Sequence, residues 1–206
     1  LNVKFDDGVE TKFIIRDLIN EINTKNKIKD IVFWNSKIKK RPFLKFKNQL
    51  FKTKGGFKAL KKFYKYGFII IKRAPIKKNY LIKFANIFGI LRKTNFGAIF
   101  NVKSVRRASD LAYTSHALSA HTDNPYRRPI PGIQLLHCLK NDSVGGYSTL
   151  TDGFSVANYM RKKFPKYFNL LCSIKIRFSY QDNKTILENW GETIELNTDK
   201  TIKRVR

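Results

Sequence analysis

The feature that most constrains the fold is the density of turns in the second half of the chain. From Phe96 onward, short apolar segments alternate with turn residues, at Pro125, Pro129, Pro131-Gly132, Asn141-Asp142, Gly145-Gly146 and Asp152-Gly153. Regularly spaced short strands between Gly/Pro turns are typical of a β-sandwich or jelly roll. The pattern predicts strands at residues 133–139, 148–150, 174–180 and 193–196, and a helix over residues 156–164 that Pro165 ends.

The first half of the chain has longer periodic segments. Residues 55–66 place apolar side chains at helical spacing opposite lysines and predict a helix that ends at Gly67. Residues 68–71 predict a buried strand, and residues 79–89 a second amphipathic helix. Alternation on both sides of Asp6-Asp7-Gly8 predicts a β-hairpin within residues 1–18, and residues 19–30 predict a loop or weak helix.

The formal net charge is +27, from 42 Lys and Arg against 15 Asp and Glu. Such a positive field favours nucleic acid or an acidic membrane surface as a partner. The cations are scattered along the chain, however, and its many Lys, Asn, Ile and Phe residues also fit an A/T-biased genome. We therefore expect no specific nucleic-acid partner, and a basic nucleic-acid-binding protein stays an alternative that rests on charge alone.

Hydropathy and cysteine content indicate a location inside the cell. There is no run of about 18 apolar residues, so no membrane partner is expected. Cys138 and Cys172 match neither a metal-binding spacing nor a disulfide framework. We expect free thiols in a reducing, cytoplasmic compartment and no zinc site.

One short motif carries candidate metal ligands. In His121-Thr122-Asp123, positions i and i+2 of a strand would point to the same side. Two His and one carboxylate form the open site of non-haem iron(II) oxygenases. The motif predicts two of those ligands, whereas the alternative for an isolated His-x-Asp is an ordinary surface turn.

Several segments around this motif match a known family in order. They are Asp110-Leu-Ala-Tyr-Thr114, His121-Thr-Asp-Asn-Pro-Tyr126, residues 131–139 (PGIQLLHCL), residues 145–148 (GGYS) and residues 152–154 (DGF), with further matches at residues 67–68, 89–97 and 100–102. The chain resembles the gamma-butyrobetaine dioxygenase and trimethyllysine dioxygenase group of the taurine dioxygenase-like oxygenases, which depend on iron(II) and 2-oxoglutarate.

The resemblance implies a mainly β fold with flanking helices. Residues 41–206 would form part of a double-stranded β-helix (jelly roll), preceded in residues 1–40 by part of a small β-rich N-terminal domain. The family's third iron ligand is a later His, and no His follows His137 in this sequence. The expectation is therefore a fragment cut at both ends that lacks this ligand.

The resemblance also implies roles for individual residues. His121 and Asp123 would bind Fe(2+), and Ser148 would bind 2-oxoglutarate. Three aromatic residues would surround a trimethylammonium group, whose charge ring faces attract: Phe96, Phe100 and Tyr113. Asp110 stands where the butyrobetaine enzymes usually have Asn, and its charge favours a substrate that bears an amine.

The implied reaction consumes O2 and 2-oxoglutarate and hydroxylates a small cationic substrate of the carnitine pathway, of the gamma-butyrobetaine or trimethyllysine type. Three alternatives stay open: a sulfonate or phosphonate substrate within the same family, a nucleic-acid-binding protein, and an inactive truncated product. A homodimer is also left open.

Overall fold

The computed structural model describes residues 1–4, 6, 8, 10–23, 31–47, 54–103, 116–142 and 144–206. Two of the candidate substrate-binding residues, Asp110 and Tyr113, lie outside these ranges. The chain divides into two compact units, Leu1–Val32 and Phe33–Arg206. The boundary expected between residues 40 and 41 stays a prediction.

The first unit contains a hairpin and a helix. Strand β1 (Asn2–Lys4) pairs antiparallel with β2 (Glu10–Lys12), which confirms the hairpin predicted around Asp6-Asp7-Gly8. Helix α1 (Ile15–Asn23) follows, where a loop or weak helix was expected. The apolar residues of this segment have helical spacing, at i, i+3, i+4 and i+7. They are Ile15, Leu18, Ile19 and Ile22.

The second unit begins with two parallel strands separated in sequence by a helix. Strand β3 (Phe43–Lys45) pairs with β4 (Ile70–Lys72), and α2 (Lys54–Tyr66) lies between them in the chain. The amide of Gly67 donates to the carbonyl of Phe63 at 2.7 Å, and Gly67 has a φ of 73°. This left-handed residue ends the predicted helix, because glycine adopts the conformation without steric cost.

Helix α3 (Tyr80–Ala85) is shorter than the predicted segment 79–89, since turns replace its last residues. Helix α4 (Gly153–Lys163) starts at Asp152, whose carboxylate accepts from the amides of Phe154 and Ser155. Pro165 does follow α4, but it also occupies the first turn of α5 (Pro165–Ser173), where the missing N–H costs nothing.

Two antiparallel hairpins complete the chain. Strand β5 (Lys175–Gln181) pairs with β6 (Ile186–Glu192), and β7 (Ile194–Leu196) pairs with β8 (Ile202–Val205). Strands β5 and β7 lie where the sequence predicts strands. Strand β6 escaped prediction because Asn189 and Gly191 interrupt its apolar alternation.

Helices α4 and α5 and the β7–β8 hairpin share a small core. Its buried members are Ala157, Phe168 and Ile194. Partly buried apolar side chains pack around them: Met160, Leu171, Cys172, Leu196, Ile202 and Val205. None of the described helices is long and apolar enough to cross a membrane.

The predicted strands at residues 133–139 and 148–150 are wrong, because neither segment is in a sheet. Ile133 and Leu136 are exposed, and a strand forms only where a neighbouring strand pairs with its backbone. The described residues form four two-stranded sheets, and helices cover more of them than strands do. The expected mainly β class therefore holds only in part.

Candidate metal centre

The structure brings His121 and Asp123 together. His121 Nε2 lies 3.3 Å from Asp123 Oδ1, and both side chains are about half exposed. Ligand atoms bind a divalent cation at about 2.1 Å. Two such atoms that subtend a right angle at the cation lie about 3 Å from each other. The pair therefore has the spacing of two adjacent ligands on one metal ion.

The outward-facing atoms of both ligands are already engaged. His121 Nδ1 lies 2.7 Å from the carbonyl oxygen of Ser119. Because a carbonyl only accepts, Nδ1 carries a proton, and in a neutral imidazole the lone pair that a metal needs is then on Nε2. Asp123 Oδ2 accepts from Gln134 Nε2 at 2.8 Å, which leaves Oδ1 toward His121.

A turn, and not the expected strand, creates this proximity. Residues 121–126 contain no helix or strand. Asn124 has a φ of 55°, a left-handed conformation that asparagine tolerates better than most residues. Its Oδ1 accepts from the hydroxyl of Tyr126 at 2.8 Å. The strand predicted through His121 and Asp123 is therefore wrong, although the two side chains do lie close together.

The β5–β6 hairpin holds this turn through Asn189 and Tyr180. Asn189 Nδ2 in β6 donates to the carbonyl of Pro125 at 3.0 Å. The ring of Tyr180 in β5 stacks on Tyr126, with centroids 5.2 Å apart. Neither Asn189 nor Tyr180 was singled out from the sequence, since both contacts join segments far apart in the chain.

The two described aromatic candidates belong to one cluster with these tyrosines. The centroids of Phe96 and Phe100 are 5.7 Å apart, and Phe96 meets Tyr180 edge-on at 5.5 Å. The guanidinium of Arg127 lies 5.9 Å from the centroid of the adjacent Tyr126 ring, at the outer range of a cation–π contact. Desolvation and the hydrogen bond to Asp182 raise the pKa of Tyr180, so its phenol is neutral at pH 7.

Ser148, the candidate 2-oxoglutarate ligand, lies in a different environment. It lines an open cavity of about 1160 Å³ together with aromatic, aliphatic and cationic residues, among them Trp34, Phe68, Arg41 and Lys162. Neither His121 nor Asp123 lines this cavity. Among the described residues, no hydrogen bond or ion pair joins Ser148 to His121 or Asp123.

Within the described ranges, no group of three or more His, Cys, Asp and Glu side chains is placed to hold a metal ion. Among these residues, the pair of His121 and Asp123 is the candidate ligand set. His137 has a buried Nε2 atom without a hydrogen-bond partner.

A family profile described as taurine catabolism dioxygenase TauD, TfdA family matches residues 41–204. The matched range includes both candidate ligands and the residues that hold their turn.

Individual relatives give narrower names. Gamma-butyrobetaine dioxygenase of Pseudomonas sp. (strain AK-1) is 36% identical over 132 residues, which cover 64% of this chain and 34% of the relative. Mitochondrial trimethyllysine dioxygenase of Mus musculus is 32% identical over 183 residues, covering 86% and 44%. Human gamma-butyrobetaine dioxygenase is 33% identical over 147 residues, covering 71% and 38%. The chain thus spans less than half the length of each of these relatives.

Proposed function

Because the chain belongs to the TauD, TfdA family of dioxygenases, we propose that it acts as an iron(II)- and 2-oxoglutarate-dependent dioxygenase on a small trimethylammonium substrate. The observation that carries the proposal is the 3.3 Å approach of His121 Nε2 to Asp123 Oδ1 within the matched range. A bound iron centre would supply the activation of O2, one atom of which would hydroxylate a substrate C–H bond while the other enters succinate as 2-oxoglutarate loses CO2.

The residues would divide the work as follows. His121 and Asp123 hold Fe(2+) through Nε2 and Oδ1, and the third ligand, a His, stays a prediction. Ser148 hydrogen-bonds 2-oxoglutarate, which requires that the cosubstrate reach both its hydroxyl and the ligand pair. The protein's task is to orient these groups and to limit the access of water.

The substrate would bind through its charge. Phe96, Phe100 and Tyr113 offer ring faces to a trimethylammonium group, which cannot donate hydrogen bonds. The 5.9 Å approach of the Arg127 guanidinium to the Tyr126 ring supports this assignment, since it places a cation beside a neighbouring ring of the cluster. Asp110 would attract an amine group, which a trimethyllysine-type substrate carries in addition to its trimethylammonium group and gamma-butyrobetaine lacks.

Relatives of both names match at comparable identity, so gamma-butyrobetaine and trimethyllysine are equal candidates. Either reaction would place the protein in carnitine biosynthesis. The name of the mouse relative assigns that protein to mitochondria, and a cytoplasmic location for this chain stays a prediction.

Metal binding by the chain itself is the first test. Co(II), a spectroscopic substitute for iron(II), is titrated into the wild-type chain and into His121→Ala, with His116→Ala as the matched control. We expect saturable binding to the wild type and the control and its loss in His121→Ala, because one of the two ligands is gone. Equal binding by His121→Ala would refute the ligand assignment.

Succinate production is the second test. The iron-loaded protein is incubated with 2-oxoglutarate and, separately, gamma-butyrobetaine, trimethyllysine and taurine. We expect succinate formation to depend on one of the two trimethylammonium compounds. Stimulation by taurine alone would instead favour the sulfonate alternative.

A further inference from the structure

We infer that Gln134 is a positioning residue of the metal centre, which holds the Asp123 carboxylate so that a single oxygen, Oδ1, is presented to the metal. The inference rests on the proposed function, since it concerns the same ligand pair. Gln134 lies in the PGIQLLHCL segment, residues 131–139, and the sequence alone indicates no role for it.

The hydrogen bond has only one chemically sensible direction. Gln134 Nε2 lies 2.8 Å from Asp123 Oδ2. An ionised carboxylate only accepts hydrogen bonds, so the amide must turn its nitrogen and not its oxygen toward it. Oδ2 thereby acquires a donor on the side away from His121, while Oδ1 remains 3.3 Å from His121 Nε2.

This arrangement would limit how many positions Asp123 occupies on a bound metal ion. A carboxylate can bind a cation through one oxygen or through both. Two-oxygen binding would fill one of the positions that an oxygenase site must leave open. A donor fixed on Oδ2 competes with the metal for that oxygen, and so it favours binding through Oδ1 alone.

A glutamine suits this position because its donor carries no charge. A Lys or Arg at the same place would put a cation beside the metal ion and oppose its binding. An apolar residue would leave the carboxylate free to rotate. The amide restrains Asp123 and keeps the full negative charge of the pair.

The expected effect is moderate, since Asp123 is 44% exposed and water can replace the amide. Residues that hydrogen-bond to metal ligands typically change metal affinity by about 10–100-fold. Because the site is exposed to solvent, we expect loss of the Gln134 amide to weaken metal affinity by about tenfold, the lower end of that range.

The test compares Gln134→Leu with Gln181→Leu in the full chain. Gln181 is an exposed residue at the end of β5, so its substitution controls for the loss of a surface amide. Co(II) affinity is measured by titration, and the intensity of the Co(II) visible absorption reports coordination number. We expect Gln134→Leu to bind Co(II) about tenfold more weakly with lower visible absorption, as coordination number rises, while Gln181→Leu matches the wild type.

A third variant separates positioning from general damage. Gln134→Asn keeps an amide that is one methylene too short to reach Asp123 in the same geometry. We expect its far-UV circular dichroism to match the wild type and its Co(II) affinity to fall. Wild-type affinity and absorption in both Gln134→Leu and Gln134→Asn would overturn the inference.

The two proposals can fail separately. Loss of binding in His121→Ala with no change in the Gln134 variants would leave the ligand pair standing and remove only the role of Gln134. Unchanged binding in His121→Ala would remove both.

Discussion

Residues 153–206 and residues 116–142 belong to the same compact unit but are built differently. The first region contains two helices and two hairpins, and a core of Ala157, Phe168 and Ile194. The second carries both candidate metal ligands, has no helix or strand, and has no buried residue. The candidate metal centre therefore lies in a segment that cannot stabilise its own conformation by backbone pairing.

The comparison shows that the ligand segment takes its geometry from the scaffold region. Asn189 and Tyr180 in the β5–β6 hairpin fix the turn that follows Asp123. Within the segment, Gln134 and the Ser119 carbonyl hydrogen-bond to the two candidate ligands. Scaffold stability and ligand geometry should therefore be separable by mutation.

The largest effect is expected in the scaffold core. Phe168 is 4% exposed, and Phe168→Ala should lower the free energy of unfolding by about 3–5 kcal/mol, because it removes buried apolar area and leaves a cavity. Urea unfolding measures the loss, with Tyr167→Ala as the control because Tyr167 is 64% exposed in the same helix. Equal losses in the two variants would mean that the scaffold has no core at Phe168.

A smaller effect on stability, but a clear one on the site, is expected at Asn189. Asn189→Ala removes the hydrogen bond to the Pro125 carbonyl and should cost about 1 kcal/mol. It should also weaken Co(II) binding and speed amide exchange in residues 121–127, since the turn loses its tether. Asn183→Ala, in the exposed turn of the same hairpin, is the control. If exchange in residues 121–127 is unaffected by Asn189→Ala, the scaffold does not position the turn.

The smallest effect is expected in the β7–β8 hairpin. Glu195 forms ion pairs with Lys203 at 2.6 Å, Arg204 at 3.2 Å and Arg206 at 2.8 Å. The hydrogen bond from Lys203, then the nearby arginines, lower the pKa of Glu195 below its usual 4.5. Glu195→Gln should cost roughly 0.5–1 kcal/mol at pH 7, because two of the three cations are well exposed.

The sign of the pH dependence follows from that lowered pKa. The folded state binds the Glu195 proton less readily than the unfolded state, so the stabilisation is present above about pH 4.5 and disappears as pH falls through the folded-state pKa. Unfolding free energies measured from pH 7 to pH 3 should converge for wild type and Glu195→Gln at the acid end. Parallel curves would exclude a lowered pKa, and Co(II) binding should be the same in both proteins at pH 7.

Local sequence patterns predicted the elements that local interactions stabilise. The hairpin around Asp6-Asp7-Gly8, helix α2 before Gly67 and strand β5 are where the periodicities indicate. Helix α1 has an equally clear apolar spacing, so its start could have been found by giving the helical period precedence over the strand alternation.

The same reasoning fails where pairing depends on a distant partner. Residues 133–139 are as apolar as a buried strand, yet no described strand pairs with them. Strand β6, interrupted by Asn189 and Gly191, forms because β5 pairs with it along its whole length. The partial jelly roll stays a proposal that accords with the family match over residues 41–204.

By itself, the sequence determined the family and indicated two candidate metal ligands, because side-chain chemistry at fixed spacing is a property of the chain. Tertiary structure decided how those ligands are presented. Gln134 reaches Asp123 across 11 positions, and Asn189 reaches Pro125 across 64. No periodicity of the sequence predicts such contacts, because they form only when the folded scaffold brings separate segments within hydrogen-bonding distance.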